Sequence, residues 1–440
     1  MDLILSNALL LELDPPSVRR GWLGVSGGTI AALGEGAPPP QPAASRTEVL
    51  DCEGRILMPG LVLGHTHLYS ALAAGMPAPR RAPADFREIL ELVWWKLDQA
   101  LDDEAVFMSA LAGAARAALC GVTTIIDHHA SPCAIAGSLD RVRDALRLVG
   151  TRGVLCYEVT DRHGDAGRDA GLEESARFLR SCADDADGFF AGLAGGHASF
   201  TLTDHALTAM AELCDTFGCG AHIHCSEDPV DDAESRRLTG AGALERLDRH
   251  GLLRPGTILA HGTHLTRDQI ARVRETGTII AHNARSNMNN GVGYADTGAM
   301  RAGRMVLGTD GIDGDLFAES ATAYFKARDA GAAVTPADVL GWIAESARFA
   351  SERLGVTVGR LAAGCAADLA LLDYWPAQPV GSGNLAGHWF FGMGSRHVSS
   401  VMAGGRWVVR NRVLVPAAAR EALGGLEAVT GKVWERFGNL

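Results

Sequence analysis

Met58-Pro59-Gly60-Leu61-Val62-Leu63-Gly64-His65-Thr66-His67 is an apolar run that ends in two histidines one residue apart. Strand side chains alternate between faces, so residues i and i+2 point the same way. His65 and His67 therefore aim two imidazoles at one point beyond the strand's carboxyl end, which is a metal-ligand geometry. Seven more apolar runs follow: GVTTIIDHHAS, RGVLCYEVTD, FFAGLAGGHAS, CGAHIHCSED, GTILAHGTH, GTIIAHNAR and RMVLGTDG. Most of them end, like the first, in histidine or carboxylate. Between them lie stretches with apolar residues at helical spacing, such as AVFMSALAGAARAALC, DRVRDALRLVG, ALTAMAELCDTF and TRDQIARVRETG. Eight strand-then-helix units predict a closed parallel (β/α)8 TIM barrel, with its reactive groups at the strands' C-terminal ends. The runs are continuously apolar, as strands buried on both faces must be.

Outward from the barrel, both ends of the chain have a β texture. Residues 1 to 56 read as short strands with Gly turns around a Pro-rich surface loop, PPPQPAAS. Residues 359–415 contain CAADLALLDYW and HVSSVMAGGRWVVRNRVLV. The two fragments bracket the barrel at 57–358 and suggest one small β-sandwich built from both termini. Residues 416–440 read as one surface helix.

The bulk numbers narrow the class. The 440 residues are 47% apolar, with no run of ~18 apolar residues that would span a membrane. The net charge of -12, without a basic stripe, argues against a nucleic-acid partner. Nine cysteines in an odd, unpaired pattern, and a start without a basic leader, fit mature protein in a reducing cytoplasm.

Collected by strand, the polar ends are His65 and His67; Asp127, His128 and His129; Glu158, Asp161 and Arg162; His197; His222, His224 and Glu227; His261 and His264; His282, Asn283, Arg285 and Asn287; and Asp310. Histidines placed by chance would not gather at one predicted face. His129 and Arg162 are placed to read carbonyl oxygens or a carboxylate of a substrate, while Asp127 and His128 alternate with them as support. Trp94 and Trp95 are read as packing, with stacking on a flat heterocycle as the alternative. Asn283, Arg285 and Asn287 fix the loop after the seventh strand.

This set resembles the amidohydrolase superfamily over essentially the whole chain, through PGLVLGHTH, HIHCSED, LAHGTHL, AHNARSN and VLGTDG in that order. It is similar to the branch that includes chlorohydrolases, S-adenosylhomocysteine deaminases and guanine deaminases. Within that branch HTHLYSALAAGMP, DHHASP and HNARSNMNNGVGYA look most like the SsnA-like aminohydrolases. The resemblance implies a metal-dependent hydrolase with His65, His67, His224 and Asp310 as metal ligands. It implies that Glu227 carries a proton, that His261 stabilises oxygen, and that Asp310 also acts as base. It makes His197 a substrate-facing residue. His222 falls deeper, as a core or supporting residue, and His264 falls in a structural loop.

Relatives with two metals often bridge them with a lysine from a middle strand. The chain has only Lys96, Lys326 and Lys432, none at a strand end; Glu158 or Cys156 would be the stand-in. One divalent metal is therefore expected, Zn2+ foremost, with Fe2+ and Mn2+ as alternatives. The expected activity is deamination of an aminated heterocycle of purine, pteridine or triazine type. The alternatives are ring opening of a cyclic amide or imidazolone, dechlorination, or a non-catalytic binding protein on a decayed barrel, against which the intact ligand set speaks. The resemblance also implies a homodimer or higher homo-oligomer.

Overall fold

The structure, a computed structural model, describes residues 1–40, 46–184 and 187–440. The end of the Pro-rich loop PPPQPAAS lies outside the described residues.

The eight barrel strands are Leu61–Thr66, Val122–His129, Arg152–Tyr157, a fourth in two pieces (Phe190–Gly192 and Ala194–Ala198), Ala221–Cys225, Ile258–His261, Ile279–His282 and Arg304–Leu307. All neighbours pair in parallel. The ladder breaks at Leu193 inside the fourth strand, and isolated parallel bridges, Val159 with Gly196 and Thr66 with Asp310, close the circle. The strand residues are buried almost without exception, because helices cover the outer face and side chains fill the inside.

The seam between the first and eighth strands depends on two glycines. A Cβ on Gly308 would lie 2.3 Å from Asn283 Oδ1 and 2.7 Å from His65 Cβ. A Cβ on Gly64 would lie 2.6 Å from the Leu307 carbonyl oxygen. Only glycine allows the two backbones to approach this closely.

The termini form one nine-stranded sheet. Its main path runs Val413–Leu414, Arg406–Arg410, Val398–Ala403, Leu369–Leu372, Ile56–Pro59, Leu3–Leu13, Pro16–Ser26 and Thr29–Glu35, with Glu48–Asp51 pairing beside Leu3–Leu13. Leu5, Leu10, Leu23, Ile30, Leu57, Leu371 and Met402 make its core. Ile56–Pro59 hydrogen-bonds within this sheet, so the barrel ladder begins at Leu61 rather than at residue 57. Arg152, at the base of the third barrel strand, ties barrel to sheet through Asp368, at 2.8 and 3.1 Å.

The tail is two helices, Ala417–Leu423 and Leu426–Asn439, not one. Gly424 and Gly425 separate them. Arg436 anchors the second by donating to the Ala100 carbonyl (2.6 Å) and to Asp102 (2.7 Å), the carboxylate that caps helix Asp103–Leu119. No helix among the described residues is long and apolar enough to cross a membrane.

Candidate active site

At the carboxyl end of the barrel, ligand atoms of His65, His67, His224 and Asp310 all lie within 4.8 Å of one another, and all four residues are buried. The first strand supplies the two i, i+2 histidines, the fifth His224, and the turn after the eighth Asp310. Backbone geometry bends here. Ser226, His261 and Asp310 take positive φ values of 52°, 74° and 53°, a conformation non-glycine residues avoid and that gathers at functional sites.

Hydrogen bonds fix which nitrogen of each histidine faces the centre. His67 Nδ1 donates to the His128 carbonyl (2.7 Å), and His224 Nδ1 donates to the His197 carbonyl (2.8 Å). Both Nε2 lone pairs then point inward, 3.1 Å apart. His65 is set by a relay. Its Nδ1 donates to His222 Nε2 (2.8 Å), His222 Nδ1 faces Cys156 Sγ (3.7 Å), and that thiol donates to the Asp127 carbonyl (3.5 Å). His65 Nε2 is left facing Asp310 Oδ1 at 3.2 Å. Three inward ring nitrogens and a carboxylate crowded this closely repel one another or must share a proton unless a cation sits at the centre. The donor set therefore fits a divalent metal. Burial pushes His65 to about 3 and His224 well below the usual imidazole range, whereas against its burial Asp310 lifts His67 to about 9, a proton that a bound cation would displace. Burial alone would raise Asp310, but its close contacts with His65 (3.2 Å) and His67 (3.0 Å) hold it well below the usual carboxylate range.

The groups around this centre hang on one short helix, Ala284–Asn290. Ser286 Oγ donates to Asp310 Oδ2 (2.5 Å), and Asn287 Oδ1 accepts from His261 Nδ1 (2.8 Å). Asn290 Nδ2 donates to Glu227 Oε1 (3.3 Å). Arg285 locks the helix to the buried Glu319 (2.7 Å). Asn287 belongs to the loop residues singled out in the sequence. Ser286 and Asn290 do not, although their i, i+4 spacing in ARSNMNN marks one helix face. His261 Nε2 has no hydrogen-bond partner among the described residues and faces Glu227 Oε2 (3.4 Å) and Asp310 Oδ1 (3.9 Å). Burial lifts the Glu227 carboxyl to about 7, against the pull of His261 and with the push of Asp310.

A narrow cavity opens from this cluster, lined by His67, His224, Glu227 and Asp310 at its metal end and by Tyr69, Trp94, Trp95, Glu158, His197 and Phe200 elsewhere. Phe86 and Leu90 roof it, packed on Val292. They belong to the segments Phe86–Ile89, Leu90–Trp94 and Trp95–Gln99, whose middle turn is a wide π-type turn. Both tryptophans are in the wall.

Of the three expected substrate contacts, His197 lines the cavity. Arg162 lies at its back, held by Asp98 (3.0 Å), near Glu158 (3.5 Å) and 4.5 Å over the Trp95 ring. Its charge is already matched by two carboxylates. His129 is fully buried outside the cavity wall, its Nε2 on Ser131 Oγ (2.9 Å). Asp127 accepts from the Leu68 backbone (2.7 Å), and His264 donates to the Val292 carbonyl (2.6 Å); both serve the frame. Glu158 belongs to a second close group, with His67, His128 and His224. Burial alone would raise its carboxyl, but His197, His128 and Arg162 hold it well below the usual range. Lys96 sits over the Phe437 ring, Lys326 pairs with Asp329 and Lys432 with Glu104, so no lysine reaches the centre.

Residues 56–408 match the Amidohydrolase family. The chain belongs to that family. It is 26% identical over 423 residues to the 5'-deoxyadenosine deaminase of Methanosarcina mazei, covering 94% of each chain. Among solved structures, the zinc-bound adenosine deaminase of Xanthomonas campestris superposes with a TM-score of 0.81 at 22% identity, covering 98% of both chains. The zinc complex of atrazine chlorohydrolase TrzN from Arthrobacter aurescens TC1 gives 0.80 at 20%, covering 97% of this chain and 100% of the other. These likenesses carry the barrel fold, and the family makes the protein a metal-binding hydrolase of C–N bonds.

Proposed function

We propose that the protein is a mononuclear, zinc-dependent aminohydrolase that removes an exocyclic amine from a small nitrogen heterocycle and releases ammonia. The observation that carries the reading is the triangle of Glu227, His261 and Asp310, set beside the four-ligand cluster and opening into an aromatic-walled cavity. The deaminase names of the full-length relatives agree with it.

His65, His67, His224 and Asp310 would hold the ion. When bound, it supplies Lewis acidity that brings the pKa of a water from ~15.7 toward ~7. The protein's own groups do the rest. Asp310, oriented by Ser286, accepts a proton from the attacking water. Oxygen adds to an sp2 carbon, and His261 steadies the charge that develops on it. Glu227, lifted by burial to about 7 and so able to carry a proton near neutral pH, gives it to the ring nitrogen beside that carbon. The added hydroxyl then passes its remaining proton to the emptied Glu227 carboxylate and closes to a carbonyl, the C–N bond breaks, and the amine leaves as ammonia with the one proton that Asp310 took from water. The aromatic walls exclude water and hold a flat ring.

The test is ammonia release from a panel of aminated purines, pteridines, pyrimidines and triazines, with Asp310→Asn as control. The reading expects ammonia from one ring class and none from the control. Silence across the panel with the metal still bound would overturn deamination in favour of ring opening or another leaving group.

A further inference from the structure

The deamination chemistry uses only one end of the cavity. Across from it stand three polar groups in an otherwise aromatic wall: Glu158, His197 and Tyr69. Each has a defined hydrogen-bonding character. Glu158 is a buried carboxylate whose Oε2 lies 3.2 Å from His128 Nδ1 and whose Oε1 lies 3.5 Å from Arg162 Nη2. A carboxylate has about four acceptor sites, so these two long contacts leave it open to more donors. Thr201 Oγ1 donates to the Ala198 carbonyl (3.1 Å) and so accepts from His197 Nδ1 (2.7 Å). That fixes the His197 tautomer and leaves Nε2 as an acceptor, met among the described residues by the Trp95 indole at 3.5 Å alone. The Tyr69 hydroxyl has no partner among the described residues, although the residue is only 6% exposed. The Arg162 guanidinium behind this wall is spent on Asp98, Glu158 and the Trp95 face.

We propose that this wall is an acceptor edge that selects a planar heterocycle carrying a second N–H edge, an amino group or amidine-type N–H pair, besides the amine that is hydrolysed. Glu158 is the principal reader, with His197 Nε2 beside it and Tyr69 adapting as donor or acceptor. A substrate with a carboxylate or phosphate at this edge would meet a carboxylate and a lone pair, and is rejected. The inference rests on the deaminase reading for where the first amine sits, and it names the substrate class of the same site.

Matched pairs test it: 2,6-diaminopurine against adenine, and 2,4-diaminopteridine against 4-aminopteridine, with metal-loaded wild type and Glu158→Gln. Binding is read by calorimetry, turnover by ammonia, and metal content by elemental analysis. A hydrogen bond to a charged acceptor is worth about 10- to 100-fold. We therefore expect the wild type to prefer the diamino member of at least one pair by that factor in Kd or KM. In Glu158→Gln the preference should collapse to within about threefold, with metal content unchanged.

Several results overturn the proposal: equal binding of both members by the wild type, no binding of either pair, a preference that survives in Glu158→Gln, or metal lost from that variant. The last would make Glu158 a ligand. The wild-type comparison stands even if the variant fails to fold. Diamino preference without ammonia would leave the acceptor edge intact and sink deamination, whereas ammonia without preference would do the reverse.

Discussion

The two ends of the barrel treat buried charge in opposite ways. At the amino end, Arg152 and Asp368 are almost wholly enclosed, and every contact is answered. Arg152 forks onto both carboxylate oxygens and the Gly188 carbonyl, and Asp368 also accepts from the Gly404 backbone. At the carboxyl end, the burial is as deep but the groups are left open. His261 Nε2 has no hydrogen-bond partner among the described residues, and His67 and His224 turn their Nε2 atoms toward one another, 3.1 Å apart. The same strands supply both ends. A closed charge network fastens the terminal sheet to the barrel, and an open one waits for a ligand. Charge burial by itself therefore marks neither function nor stability; the unmet valence does.

Substitutions at the two ends should separate these uses. Asp310→Asn should have the largest effect, taking turnover to background and stripping the metal, while circular dichroism shows the fold intact. Glu227→Gln should lower kcat by ~100- to 10,000-fold, the worth of a general acid–base group, with metal content unchanged by elemental analysis. Arg152→Met should do the converse. It leaves Asp368 buried without its cation and should cost about 3–5 kcal/mol in denaturant unfolding, yet leave metal stoichiometry at the other end untouched. Ser286→Ala should have the smallest effect of the four, weakening metal affinity ~10- to 100-fold in a chelator competition, because it frees one oxygen of a ligand carboxylate. Equal losses of stability from all four would break the contrast.

The barrel was legible because its strands are continuous apolar runs that end in histidine, and period-2 alternation alone places His65 beside His67. Residues whose orientation is set within their own strand were readable. Arg162 was not. Its direction is decided by Asp98, which reaches it from the segment after the first strand, 64 residues earlier. Ser286 and Asn290 were hidden for a similar reason, since small polar residues in a loop gain a role only when a distant carboxylate meets them. The break at Leu193 and the single hydrogen-bonded path through the terminal sheet depend on cross-strand register, which local pattern does not encode. The tail read as one helix because its apolar spacing runs on past Gly424 and Gly425, where the chain stops and restarts.

The most direct test of the account is a metal titration of the chelator-stripped protein, following bound Zn2+ and recovered activity together. If His65, His67, His224 and Asp310 form one site, both signals should rise in parallel and break at one ion per chain. A break at two ions would mean that the His67, His128, Glu158 and His224 group is also filled, and full activity in the stripped protein would contradict a metal-dependent site altogether.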